Sequence, residues 1–221
     1  MRVDKKLLLG ALSLLLAGSA LASADPAMDA RIGELQAGWA HVKYEIKGTD
    51  AQLPAMEALA TEAKSVTAAY PGKAEPLIWE AIILSSEAGI KGGIGALSLV
   101  KEAKAKLETA EKIDPTALDG SVNTSLGSLY YQVPGWPVGF GSDKQAKVYL
   151  EKALALNPDG IDPNYFYGDF LFRQGDYAKA RDVLNHALAA TPRPGREVAD
   201  AGRREEINSV LAQLETKLAK R

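Results

Sequence analysis

Few side chains in this sequence are of the kinds that catalyse reactions or bind metal ions. The 221 residues include no cysteine and two histidines, His41 and His186. Thiol catalysis, disulfides and thiolate metal sites are therefore excluded, and a multi-histidine metal centre is disfavoured. Residues 89–95 are glycine-rich but lack the Lys-Ser/Thr ending of a phosphate-binding loop, and no nucleophile elbow is present. We predict a non-enzymatic protein with no cofactor and no metal ion.

The most unusual segment, residues 133–140, has the composition of a recognition site. It combines Trp136 and Phe140 with two prolines and two glycines, and a disordered linker rarely contains two large aromatic residues. Two interpretations stay open. The aromatic side chains fold back and seal an edge of the protein, or they form an aromatic lip that binds a ligand or partner, as anchors at interfaces do.

The charges of the chain are balanced. Lys and Arg number 26 and Asp and Glu number 28, for a net charge of -2, so the sequence lacks the basic field that nucleic-acid binding requires and we predict no such partner. One basic cluster lies near the C-terminus and consists of Arg193, Arg196, Arg203 and Arg204. It is expected to neutralise helix C-termini and carboxylates such as Glu197 and Asp200; the alternative is an anion site.

Residues 1–24 have the pattern of a secretory signal peptide. A basic start precedes an apolar run from Leu7 to Leu16, and the small residues Ala22-Ser23-Ala24 supply a cleavage site. The alternative is an uncleaved anchor, because 18 uncharged residues approach the length that spans a bilayer. We predict cleavage, a periplasmic or secreted protein, and no stable membrane insertion after cleavage.

The remainder of the chain repeats one helical pattern. The spacing Ala-x3-Leu-x2-Ala-x4-Pro occurs three times and begins at Ala103, Ala146 and Ala180. Steps of three and four place the apolar residues on one helical face, and proline ends the helix. Another helix precedes each of these copies. In two of them the shared spacing Asn-x2-(Leu/Tyr)-Gly places Gly127 and Gly168 at expected helix contacts.

This combination resembles the tetratricopeptide repeat (TPR), in which two antiparallel helices form each unit. Asn123 and Asn164 depart from the family, which usually has a bulky residue there. The resemblance implies an all-α, TPR-type helical-hairpin solenoid with a C-terminal capping helix. We expect helix pairs at about 27–71, 76–115, 121–158 and 162–192, and the cap at 197–220.

The closing prolines predict where the repeats carry insertions. Pro71, Pro115, Pro158 and Pro192 are separated by 44, 43 and 34 residues, and only the last interval equals the usual repeat length. We predict that the extra residues form loops within the second and third pairs, at 89–95 and 132–143.

The TPR resemblance also implies a concave face lined by the first helix of each pair. On that face we expect Glu80, Leu84, Thr124, Ser128, Gln132 and Asp162, together with the stronger candidates Tyr131, Tyr165, Asp169, Phe172 and Arg173. Asp169 and Arg173 are four residues apart and should form an ion pair. With Trp136 and Phe140, these candidates predict a scaffold that presents a groove and an aromatic loop to an exported protein or peptide partner.

A second resemblance suggests an alternative function. Helical repeats with a glycine-rich insertion, followed by Gly141, Lys144, Ala146, Leu150 and Ala153, are similar to the T-component proteins of TRAP-type transporters. This resemblance implies a periplasmic accessory for small-molecule uptake, with a ligand cavity and a transporter component as partner. Members are often lipid-anchored through a cysteine, which this chain lacks.

Overall fold

The computed structural model describes residues 25–219, which form nine α-helices and no strand. The helices are α1 Pro26–Ala40, α2 Thr49–Ala69, α3 Ala74–Lys91, α4 Gly93–Ile113, α5 Ala117–Gln132, α6 Asp143–Leu156, α7 Ile161–Arg173, α8 Tyr177–Leu188 and α9 Glu197–Leu218. One π-helical turn, His41–Glu45, follows α1 directly. The predicted all-α solenoid is confirmed. The predicted signal peptide lies outside the described residues.

Consecutive helices pack most extensively as three pairs, α3–α4, α5–α6 and α7–α8, each around one copy of the Ala-Leu-Ala stripe. All nine residues of the three stripes are fully buried. In two of the three copies the central leucine of the stripe packs on a glycine of the first helix. A Cβ atom added to Gly127 would lie 2.7 Å from Leu150 Cγ, and one added to Gly168 would lie 2.6 Å from Leu184 Cγ. These glycines are thus places where paired helices approach closely.

The two asparagines that depart from the family pattern have a structural role. The Asn164 side-chain nitrogen donates to the carbonyls of Pro158 and Gly160, at 2.7 and 2.9 Å. Asn123 donates in the same way to the carbonyl of Pro115, at 3.3 Å. Each amide therefore ties a first helix to the proline turn before it, which a bulky apolar residue could not do.

One of the two predicted insertions does not form a loop. Residues 89–95 were expected between two helices, yet α3 continues to Lys91 and α4 begins at Gly93. Gly92 alone joins them, with a φ of 62° that favours glycine. The extra residues lengthen both helices instead, because the neighbouring Ile, Ala and Leu residues are compatible with a helix and isolated glycines are tolerated. The second insertion, after Gln132, is a loop as predicted.

The final helix does more than cap the solenoid. Its C-terminal half buries Ile207, Val210 and Leu214 in the cluster formed with α7 and α8, as expected of a cap. Its 22 residues extend about 33 Å, and it also contacts α1 and the π-helical turn. α9 therefore connects the last helix pair to the first, which the sequence pattern did not predict.

Candidate partner-binding site

The loop that joins α5 to α6 is held in one conformation by its own backbone. The Ser142 N–H donates to the carbonyl of Tyr130 at 2.7 Å, and the Gly141 N–H donates to the carbonyl of Pro134 at 2.9 Å. A Cβ atom on Gly141 would lie 1.9 Å from the carbonyl oxygen of Val133. Only glycine permits that approach, so the sequence itself specifies a compact loop.

The two aromatic residues of this loop have different surroundings. Phe140 packs edge-on against Tyr130, with ring centroids 5.7 Å apart, and the Lys104 ammonium lies 5.7 Å from its ring. Trp136 is 89% exposed and Val138 is 56% exposed. The sealing interpretation therefore fits Phe140, whereas Trp136 lies in the position that the lip interpretation requires.

A polar cluster lies beside the base of the loop, where α5 and α7 end. The Tyr131 hydroxyl donates to Asp169 Oδ2 at 2.8 Å, and Arg173 Nε donates to the same oxygen at 3.0 Å. The Arg173 guanidinium is 5.2 Å from the centre of the Tyr131 ring. Burial, and then the charge of Asp169, raise the pKa of Tyr131 well above its usual range. The cluster thus presents an exposed arginine on a half-buried, neutral tyrosine and a buried carboxylate.

Of the remaining candidates, Gln132 joins this cluster by donating to the Tyr131 hydroxyl at 3.1 Å, whereas Tyr165 and Phe172 do not. Tyr165 lies beneath α9, with the Arg203 guanidinium 4.3 Å from its ring. Phe172 packs on Tyr177, with centroids 5.6 Å apart. Of the other residues expected on an open concave face, three are buried: Glu80, Leu84 and Thr124. They cannot line that face as predicted, because neighbouring helices cover them; Glu80, for example, pairs with Lys106 of α4 at 2.8 Å.

A network of ion pairs at α9 was not predicted from the sequence. It includes two of the clustered arginines, Arg193 and Arg203. Asp162 accepts from Arg203 Nε at 2.8 Å and from Arg193 Nη1 at 2.7 Å. Arg193 also pairs with Asp200, and Arg203 with Glu206. Burial alone would raise the pKa of Asp162, but Arg203 and Arg193 outweigh it and hold that pKa at about 2. The pairing of Arg203 with Glu206 could have been predicted, because the two residues are three positions apart on one helix. The pairing of Arg203 with Asp162 could not, because 41 residues separate them in the sequence.

Three of the four clustered arginines, Arg193, Arg203 and Arg204, already have hydrogen-bond partners. Arg204 donates to the carbonyl of Ala190 at 2.8 Å, near the C-terminus of α8, as the charge-neutralising interpretation expects. A cleft of about 560 Å³ lies beside the cluster, but Glu197 and Asp200 line it together with the arginines. Their carboxylates would repel a bound anion.

The comparisons with known proteins support the helical-repeat fold. The family model for the tetratricopeptide repeat matches residues 144–205, which cover most of α6, all of α7 and α8, and the start of α9. A solved structure of a thermophilic TPR protein from Thermus thermophilus superposes with a TM-score of 0.56 at 24% identity, over 75% of this chain and 76% of that one. The chain has a tetratricopeptide-repeat fold. A TPR fold is typical of scaffolds that bind other proteins.

Other comparisons add less. A structure from a study titled functional characterization of Pseudomonas aeruginosa pilF aligns at 18% identity over 89% of this chain and 92% of that one. Its TM-score is 0.36, which is too low to indicate a shared fold. No curated protein matches the sequence. In the part of the chain that the structure describes, no helix is long and apolar enough to cross a bilayer. The transport-accessory hypothesis is tested by none of these findings and stays a hypothesis.

Proposed function

We propose that this TPR chain is an exported, non-enzymatic scaffold that binds a protein or peptide partner at an aromatic tip. The tip consists of Trp136 and Val138, and the Tyr131–Asp169–Arg173 cluster adjoins its base. The single observation that carries the proposal is the exposure of Trp136 on a loop that backbone hydrogen bonds hold in place.

Physical reasons favour binding over a purely structural role for Trp136. A tryptophan buried at an interface is among the side chains that contribute most to affinity, often about 2 kcal/mol or more. A preformed loop loses little conformational entropy when a partner binds. The exposed guanidinium of Arg173 would add a charged contact at the rim, where electrostatics set orientation and association rate.

A further apolar residue extends this surface. Ile94, at the start of α4, is 89% exposed. The turn between α3 and α4 and the loop between α5 and α6 both connect the first helix of a pair to the second. In a solenoid such connections lie along the same edge, so Ile94 and Trp136 belong to one edge of the molecule.

The test is affinity capture of mature protein from the envelope fraction of the source organism, with mass spectrometry of what is retained. We expect Trp136→Ala to reduce capture of the partner at least about tenfold. The melting temperature of the variant should stay within about 2 °C of that of the wild-type protein. The matched control is Ile113→Ala, which also removes an exposed hydrophobic side chain (42%) but at the end of α4, on the opposite edge. Equal loss in both variants, or none in either, would contradict the proposed site.

Export is proposed from the sequence of residues 1–24. In support, Asp25 caps α1 by itself, since its Oδ1 accepts from the N–H groups of Ala27 and Met28 at 3.1 Å, so the first helix can begin at the expected cleavage point. Intact mass measurement of protein recovered from the envelope should give Asp25 as the first residue. Recovery of a chain that retains residues 1–24 would show the uncleaved-anchor alternative to be right.

A further inference from the structure

The two halves of α9 are attached to the molecule by different forces. Ile207, Val210 and Leu214 bury apolar side chains against α7 and α8. The preceding part, residues 197–206, buries only one such side chain, Ala199; the others that it buries are Asp200, Gly202 and Arg203. We call residues 197–206 the polar half of α9.

Charge contacts hold the polar half against the first and last helix pairs. Arg203 pairs with Asp162, and its guanidinium lies over the rings of Tyr165 and Phe166, at 4.3 and 4.8 Å. On the other side, Glu206 is 3.3 Å from both the Tyr44 hydroxyl and Lys43 Nζ. The desolvation of buried ion pairs offsets part of their Coulomb attraction. Their net stabilisation of the polar half is therefore smaller than that from the apolar burial of the other half.

Gly202 shows that the sequence is fitted to this contact. Glycine in a helix interior costs about 1 kcal/mol relative to alanine, yet Gly202 lies inside α9. A Cβ atom on it would be 2.3 Å from Tyr44 Cδ1. The glycine therefore lowers the stability of α9 as a free helix. Its benefit, close packing against the Tyr44 ring, exists only while the polar half is docked.

We infer that the polar half of α9 is releasable, and that the surface beneath it is a second binding site, which takes an arginine-bearing helix of a partner protein. The argument for this partner is charge and shape complementarity. When the polar half leaves, Asp162 keeps Arg193 on Oδ2 but loses the Arg203 guanidinium from Oδ1, and the faces of Tyr165 and Phe166 become accessible. A carboxylate beside two aromatic faces favours a guanidinium, because a guanidinium can form an ion pair with the carboxylate and stack on the aromatic rings.

α9 thus acts as an intramolecular competitor for this surface. A partner must supply a helix with an arginine in the place of Arg203, and it gains access only in the released state. This site is separate from the aromatic tip at Trp136, so either can fail without the other.

The test uses the full mature chain with a reversible lock. The sequence has no cysteine, so Tyr44→Cys/Gly202→Cys introduces a single pair. A Cβ atom on Gly202 lies 2.4 Å from Tyr44 Cγ, which places the two Cβ atoms within about 4 Å, in the range of a disulfide. The probe is a fluorescent synthetic peptide with the sequence of residues 197–210. We expect the reduced variant to bind it at least about tenfold more tightly than the oxidised variant; equal affinity would overturn the inference.

Two peptide variants test the chemistry of recognition. Arg203→Ala in the peptide should reduce its affinity for the reduced chain at least about tenfold. Arg204→Ala removes the same charge at the adjacent position and should reduce affinity less than about threefold, because Arg204 contacts the backbone carbonyl of Ala190, just after α8. Equal losses of affinity for the two peptides would show that binding depends only on net charge. That result would overturn the proposed recognition of a guanidinium at the Arg203 position.

A third variant covers the case in which the disulfide does not form. Gly202→Leu in the otherwise natural chain places a side chain against the Tyr44 ring and should release the polar half. The variant should keep a cooperative thermal transition and bind the peptide at least about tenfold more tightly than wild type. Loss of the cooperative transition would also overturn the inference, since the polar half would then be required for the global fold.

Discussion

At the scale of single residues, two aromatic side chains four positions apart have opposite surroundings. Phe140 contacts Tyr130 and Lys104, whereas Trp136 is turned to solvent. Both lie on one uncharged loop, and composition could not separate them. The difference arises because the loop returns to α5 at Ser142, which brings Phe140, and not Trp136, back to the helices.

This difference predicts opposite results for two alanine substitutions. Phe140→Ala should lower the free energy of unfolding by about 1–2 kcal/mol, less than for a fully buried phenylalanine because Phe140 is half-buried. Trp136→Ala should change it by less than about 0.5 kcal/mol. Urea denaturation measures both. If Trp136→Ala lowered the free energy of unfolding as much as Phe140→Ala, both aromatic residues would have a structural, sealing role.

At the scale of helices, two of the pairs depend on a glycine that allows a leucine to pack on the backbone of its partner helix. The Ala-Leu-Ala stripe is visible in the sequence, but the partner of each leucine is not. In the structure Leu150 meets Gly127 and Leu184 meets Gly168. Helix propensity, which disfavours glycine, is here outweighed by close packing between the paired helices.

Gly168→Ala should therefore be destabilising although alanine is the better helix former. The added Cβ atom would lie 2.6 Å from Leu184 Cγ, and overpacking of this kind costs about 1–3 kcal/mol. The matched control is Gly33→Ala in α1, where no atom lies within 4 Å of the added Cβ atom. That change should raise the melting temperature, since it gains up to about 1 kcal/mol of propensity. Stabilisation in both variants would contradict the packing role of Gly168.

At the scale of the whole molecule, charged side chains connect the last helix pair to α9 and, through Glu206, to the first pair. Asp162 is paired with Arg193 and Arg203, and Glu206 lies near Lys43 and Arg203. The pKa of Asp162 is lowered to about 2 by its arginines, compared with the ordinary 3.8. The contribution to stability is thus complete above about pH 4 and is lost as the pH falls towards about 2.

Acid titration of thermal stability measures this contribution. Wild type should lose up to about 2 kcal/mol between about pH 4 and pH 2 through Asp162. Asp162→Asn should be less stable than wild type at about pH 7, and the gap between the two proteins should narrow by about that amount over the same acid interval. A gap that stays constant with pH would show that Asp162 is not ionised against its arginines.

The sequence by itself determined the all-helical repeat, because the spacing of Ala, Leu and Pro is a local pattern that fixes which helical face is buried and where each helix ends. It also indicated the unusual loop, since prolines, glycines and aromatic residues were concentrated there. The tertiary structure alone decided that α9 returns to the first pair and that Arg203 meets Asp162. Those contacts join residues far apart in the chain, and a single sequence carries no periodic signal for them. The same limit applies near residues 89–95: the glycine content indicated a loop, whereas the structure confines the turn to Gly92 and continues α3 and α4 on either side of it.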